Sequence, residues 1–138
     1  LTEYLKNTAS VNKSRKDIPH MKIGTIRDLL GAQVICCEDG LSRHVYSACG
    51  SDMMSDVLAY VTGSTVLLTG LVNEHVIRTA EMVDLECIVF VRGKKPTSDI
   101  IEMAEENGMV LLCTDHTLYC TSGILYSNGL TGVGRRRK

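Results

Sequence analysis

Three short clusters in this chain place hydroxyl, glycine and charged residues just beyond apolar runs, a combination suited to holding a small anion. They are Thr69-Gly70 with Asn73, Arg92-Gly93 with Thr97, and Thr114-Asp115-His116. Threonine and asparagine offer short polar groups, and glycine lets a ligand approach the backbone. Arg92, with Lys94 and Lys95 close behind it, supplies the positive charge that a phosphate needs. The same residues also have a simpler use. Asn73, Thr97 and Asp115 are good helix caps and the glycines good turn formers, as every βαβ protein requires.

Other chemistry fits less well. Asp115-His116 joins an acid to a base, but neighbours in sequence do not orient one another as triad members do, and no nucleophile is paired with them. No catalytic residue is assigned. Cys36 and Cys37 would face opposite sides of a strand, the chain has no C-x-x-C, and His44, His75 and His116 lack a second His or Cys at helical ligand spacing. No metal site and no cofactor are therefore expected. The Gly129-Leu-Thr-Gly-Val-Gly134 stretch has no strand leading into it and no clear helix after it, so it reads as a flexible tail and not as a dinucleotide fingerprint. A phosphate-binding G-x-x-x-x-G-K-[ST] loop is absent, which removes the machinery of P-loop phosphoryl transfer.

The elements that must position the three clusters are legible. Thr65–Thr69, Cys87–Val91 and Met109–Cys113 are continuous apolar runs, separated by amphipathic stretches of about ten residues, the pattern of βαβ units around a buried parallel sheet. This predicts an α/β fold: one small domain with a mostly parallel central sheet flanked by helices. Val66, Leu68, Ile88, Val89, Phe90, Val110, Leu111 and Leu112 are expected in its core. Ligands of open parallel sheets bind beyond the carboxyl ends of the strands, where helix N-termini also present free N–H groups. The three strand ends are expected side by side there.

Around these runs, Thr25-Ile-Arg-Asp28 has the form of a capping box opening a helix that Gly31 stops. Gln33–Cys37 and Arg43–Cys49 read as strands about a turn at Glu38–Gly40, and Met53–Val61 as a helix. Asn73 is placed to cap the next helix, Thr97 or Ser98 the one over Asp99–Asn107, and Asp115 a last helix from Thr117 to Ser127.

Charge and cysteine usage narrow the setting. Between residues 21 and 134 there are 14 acidic against 7 basic side chains, while residues 1–20 and Arg135–Lys138 are basic. An acidic body repels phosphate backbones, which argues against nucleic acid as the partner. No run of about 18 apolar residues is present to cross a membrane. The six cysteines fall mostly within apolar runs, pointing to free thiols, a reducing compartment and a cytoplasmic location. Residues 1–20 read as an extension or a leader left by cloning, 21–130 as the folded domain and 131–138 as a basic tail.

Four segments carry a resemblance. Gly40-Leu-Ser-Arg-His-Val45, Val66-Leu-Leu-Thr-Gly70, Ile88-Val-Phe-Val-Arg-Gly93 with Pro96 behind it, and Val110-Leu-Leu-Cys-Thr-Asp115 resemble the DRTGG domain in order and spacing. The resemblance implies an α/β fold related to the amino-terminal domain of the Mur ligases. It also implies a non-catalytic regulatory or assembly role, commonly as a homodimer, as in the domains that precede the kinase of HPr kinase/phosphorylase or sit beside CBS domains in nucleotide-regulated pyrophosphatases. The family's Asp-Arg pair is Leu71-Val72 here, and its Thr-Gly-Gly is Val91-Arg92-Gly93. Two functions stay open: a regulatory domain that senses a nucleotide or another small anion and signals to a partner protein, and a dimerisation or docking module without a ligand.

Overall fold

The computed structural model describes residues 19–61 and 63–134. The extension expected over residues 1–20, apart from Pro19 and His20, and the basic run Arg135–Lys138 lie outside the described residues.

Four apolar segments pair in register and set the architecture. Strands β4 (Ser47–Gly50), β5 (Thr65–Thr69), β6 (Cys87–Phe90) and β7 (Val110–Cys113) lie parallel and adjacent in that order, and β2 (Gln33–Cys36) adds antiparallel to β7. Helices α2 (Met54–Tyr60), α3 (Glu74–Met82) and α4 (Ser98–Glu106) make the three crossovers between the parallel strands. Each crossover steps to the next strand in the same direction. Because such connections are right-handed, all three helices fall on one face, where Val57, Ile77, Ala80 and Ala104 pack on Leu67, Ile88, Phe90 and Leu111.

The other face is left for α1 (Ile23–Leu30) and α5 (Leu118–Ser127), whose Ile26, Leu30 and Leu125 cover Val66, Leu68, Val89 and Leu112. With both faces covered, the expected core residues Val66, Leu68, Ile88, Val89, Phe90, Val110, Leu111 and Leu112 are all essentially inaccessible. Successive strand residues point to opposite faces. Each strand therefore serves two cores.

Local signals are overridden where tertiary contacts compete. The capping box at Thr25 does not open α1, which starts at Ile23 with Lys22 in the cap position and no side-chain cap. Ile23 is fully buried and its N–H donates to the Arg43 carbonyl at 2.9 Å, so burial draws the chain into the helix early. Gly31 closes the helix in the left-handed conformation, φ 58°, as expected. The single strand expected over Arg43–Cys49 splits at Tyr46: β3 (His44–Val45) pairs with β1 (Met21–Lys22), and β4 joins the main sheet. The turn before it tightens into a 3-10 helix over Glu38–Ser42. There a Cβ on Gly40 would lie 2.5 Å from Val110 Cγ2, and Arg43 Nη1 donates to the Gly108 carbonyl at 2.7 Å. The segment Gly40–Arg43 is thus a fastening between the turn and the amino end of β7.

The glycine-rich stretch expected as a flexible tail is instead laid along the sheet edge. The Ala48 N–H donates to Thr131 O at 3.0 Å, and the Val133 N–H donates to Ala48 O at 3.2 Å. All six cysteines are free. Burial pushes the Cys36 thiol up to about 12 and the Cys113 thiol up to about 11, and it raises Cys87 further, so these thiols stay protonated and behave as small hydrophobes.

Ile88, fully buried at the centre of the sheet, gauges how much the core contributes. Ile88→Ala is expected to lower the free energy of unfolding by about 2–5 kcal/mol through lost burial and the cavity left behind, measured by urea denaturation. A change near zero would place Ile88 outside the core.

Candidate functional site: the carboxyl ends of the parallel strands

In-register pairing brings the ends of β4, β5, β6 and β7 into one row. The chain leaves β6 toward α4 on one face and leaves β7 toward α5 on the other, so the sheet has its topological switch between these two strands. The two departing loops are tied to each other: Arg92 N–H donates to His116 O at 2.8 Å and Gly93 N–H to Thr114 O at 2.9 Å.

The turn after β6 is strained. Arg92 and Gly93 have φ of 58° and 67°, and Lys94 N–H closes the turn on the Val91 carbonyl at 3.2 Å. Glycine accepts the left-handed region freely, whereas an arginine there costs free energy that the surrounding hydrogen bonds must offset. The turn sets the direction in which the Arg92 side chain leaves the backbone. Its guanidinium lies across Gly70, where a Cβ would fall 2.2 Å from Nη2 and 2.8 Å from Cζ. Glycine at position 70 is therefore what lets the arginine reach β5.

Asp52, at the end of β4, is the residue that sequence reasoning missed. Its Oδ1 accepts the Thr69 hydroxyl at 2.9 Å and the Gly70 N–H at 2.8 Å, while the Thr69 oxygen accepts the Leu71 N–H at 3.1 Å. The Gly70 N–H, the Thr69 hydroxyl and the nearby charge of Arg92 hold the Asp52 carboxyl below the usual carboxylate range against a smaller opposing effect of burial. Among the described residues, no carboxylate oxygen lies within ion-pair distance of Arg92. The arginine feels Asp52 without being locked to it.

The other expected site residues take distinct places. Asn73 caps α3, accepting the Val76 N–H at 3.1 Å. Thr97 occupies the cap position of α4 without a side-chain cap bond and is exposed. Thr114 is buried, and its hydroxyl donates to the Leu30 carbonyl at 3.1 Å, fastening the β7 end to α1. Asp115 does not cap α5; Thr117 does, accepting the Cys120 N–H at 3.3 Å, because the backbone ties of residues 114 and 116 to the β6 loop delay the helix start. The Asp115 carboxylate instead faces Gly93, 3.1 Å from where a Cβ would sit. His116, Lys94 and Lys95 are exposed beside it. Gly70, Arg92, Gly93, Asp115 and His116 therefore share one shelf, while Thr69, Asn73 and Thr114, all expected at the site, spend their side chains on structure. Among the described residues there is no group of three metal-ligating side chains.

The fold and this shelf define an open, mostly parallel α/β domain whose polar residues gather at the strand ends. The chain belongs to the DRTGG domain family, whose model matches residues 25–127. It is similar to the crystal structure of the CBS and DRTGG domains of the regulatory region of Clostridium perfringens pyrophosphatase complexed with activator, diadenosine tetraphosphate. The TM-score is 0.67 at 14% identity, over 99% of this chain and 61% of that one. At that identity the likeness shows the fold, and this chain spans about three fifths of the other's length. No curated protein matches. No described helix is long and apolar enough to cross a membrane.

The Asp52 network makes a direct prediction. Followed by carboxyl NMR, Asp52 is expected to titrate below about 3.9, the ordinary aspartate value, and Thr69→Val is expected to move it back up. The lowered value means that the stabilisation from this carboxylate is present above the unfolded-chain range and is lost as pH falls through the folded midpoint. An unshifted midpoint in the parent protein would remove the network.

Proposed function

We propose that this chain is a non-catalytic regulatory domain that binds a small anionic ligand, a nucleotide foremost, at the carboxyl ends of β4–β7, and passes its state to a partner protein. The observation that carries the reading is Arg92, held in a left-handed turn with its guanidinium over Gly70 and, among the described residues, no carboxylate within ion-pair distance. Three of the seven basic residues between 21 and 134 fall here, at Arg92, Lys94 and Lys95, in a body that is otherwise acidic. Concentrating scarce positive charge at one point of the rim favours an anion there. The ligand-facing set is Gly70, Arg92, Gly93, Thr97, Asp115 and His116, with Thr69, Asn73 and Thr114 holding the loops that carry them. The activator complex of the pyrophosphatase regulatory region supports a nucleotide as the first class to test. A cytoplasmic setting fits the buried free thiols.

Isothermal titration and thermal shift against nucleotides and phosphorylated metabolites test this reading. A ligand at 100 times its Kd is expected to add about 2.7 kcal/mol of stability. Arg92→Ala is expected to leave folding nearly unchanged and to weaken that ligand at least tenfold, about 1.4 kcal/mol. Equal binding by the variant would remove Arg92 from the site.

A second reading is a homodimerisation or docking module without a ligand. It is favoured by the exposed large apolar side chains Met53, Met82, Tyr119 and Tyr126 in a domain this small, since a second copy is the commonest cover for such surface. Sedimentation at tens of micromolar protein is expected to show a dimer. A monomer at that concentration, together with ligand binding, would leave the first reading alone.

A further inference from the structure

We infer that the groove between α5 and the β4 edge seats a flat aromatic ring, and that the ring and the anion at Arg92 belong to one molecule, a nucleoside phosphate. This inference rests on the reading of the strand ends as an anion site and names what that site takes.

The groove has a volume of about 380 Å³, within the range of about 300–1,000 Å³ typical of small-molecule sites. Leu68, Leu125 and Leu130 line it and are buried, giving it an apolar floor. Tyr119 and Tyr126, two turns apart on α5, stand at its rim with 88% and 69% of their surface exposed. In a chain with one Phe and five Tyr, two exposed aromatic rings beside one hollow form a stacking surface, and stacking accepts any flat base.

Gly123 keeps the hollow open. It sits inside α5, where glycine costs helix stability relative to alanine, yet nothing lies within 4 Å of where its Cβ would be. Packing does not demand a glycine there. A side chain at that position would project into the groove, and its absence preserves the space.

The groove leads to the arginine. Leu68 lines it, and Gly70 follows Leu68 by two residues, just past the end of β5 at Thr69. Two residues span at most about 7 Å, so the guanidinium over Gly70 lies within reach of a small molecule seated in this apolar, aromatic-rimmed trough. A ring in the trough with a phosphate at its end fits this arrangement, and a phosphate without a ring would leave the trough unused.

The test compares AMP with ribose 5-phosphate on the full chain by isothermal titration, with amide NMR to locate each. AMP is expected to bind at least tenfold more tightly and to shift the amides of Gly50, Gly123 and Gly132, which ribose 5-phosphate leaves unmoved. Gly123→Leu fills the groove with a better helix former and is expected to bring AMP down to the affinity of ribose 5-phosphate while ribose 5-phosphate binding is unchanged. Tyr119→Ala, at an exposed position, is expected to act in the same direction. If AMP and ribose 5-phosphate bind equally, or if Gly123→Leu leaves AMP unaffected while both probes still depend on Arg92, the groove inference is overturned and the anion site stands. If neither probe binds the parent protein, both fall.

Discussion

Parallel pairing of four strands in register is the constraint on which the rest of this molecule depends. Parallel strands need crossovers, and right-handed crossovers that always step the same way load three helices on one face. The opposite face must then be closed by elements from outside the repeating part, and α1 and α5 do so. Sending the chain after β7 to that second face creates the switch point. The shelf with Arg92, Gly93, Asp115 and His116 is thus a by-product of covering two apolar faces with one short chain.

What differs from a plain helix-capping arrangement is the handling of charge and strain at the rim. A non-glycine residue in the left-handed turn after β6, two backbone hydrogen bonds from that turn to the β7 loop, and the side-chain-free Gly70 all serve to place one guanidinium. Asp52 organises the β5 loop from the other side, and Arg92 lowers its cost of ionisation. Backbone hydrogen bonds tie the β6 end to the β7 end, and Asp52 ties the β4 end to the β5 end, with Arg92 adding a smaller charge effect on Asp52.

The scaffold was legible in the sequence because continuous apolar runs of four or five residues bounded by polar ends admit few other readings, and the three central strands and their burial follow from it. The strand-end clusters were legible for the same reason. Asp52 was not, because the run before it is broken at Tyr46 and short, so β4 did not register as a fourth parallel strand; the small polar sequence Gly50-Ser51-Asp52 at its end was the available signal. Thr25 and Asp115 misled as caps because capping preferences are worth about 1 kcal/mol, less than the burial of Ile23 or the loop ties around His116. Which side chains at the rim face outward is likewise a tertiary matter: Thr114 and Thr69 are both hydroxyls after apolar runs, yet one reaches inward to Leu30 and the other to Asp52.

The central claim is that an anion binds this chain at the strand ends and not at its basic termini. The most direct measurement is amide NMR of the full chain during a titration with inorganic pyrophosphate. The account predicts saturable shifts centred on Gly70, Arg92, Gly93 and His116. Shifts confined to residues 1–20 and Arg135–Lys138, or no saturable shift anywhere, would contradict it.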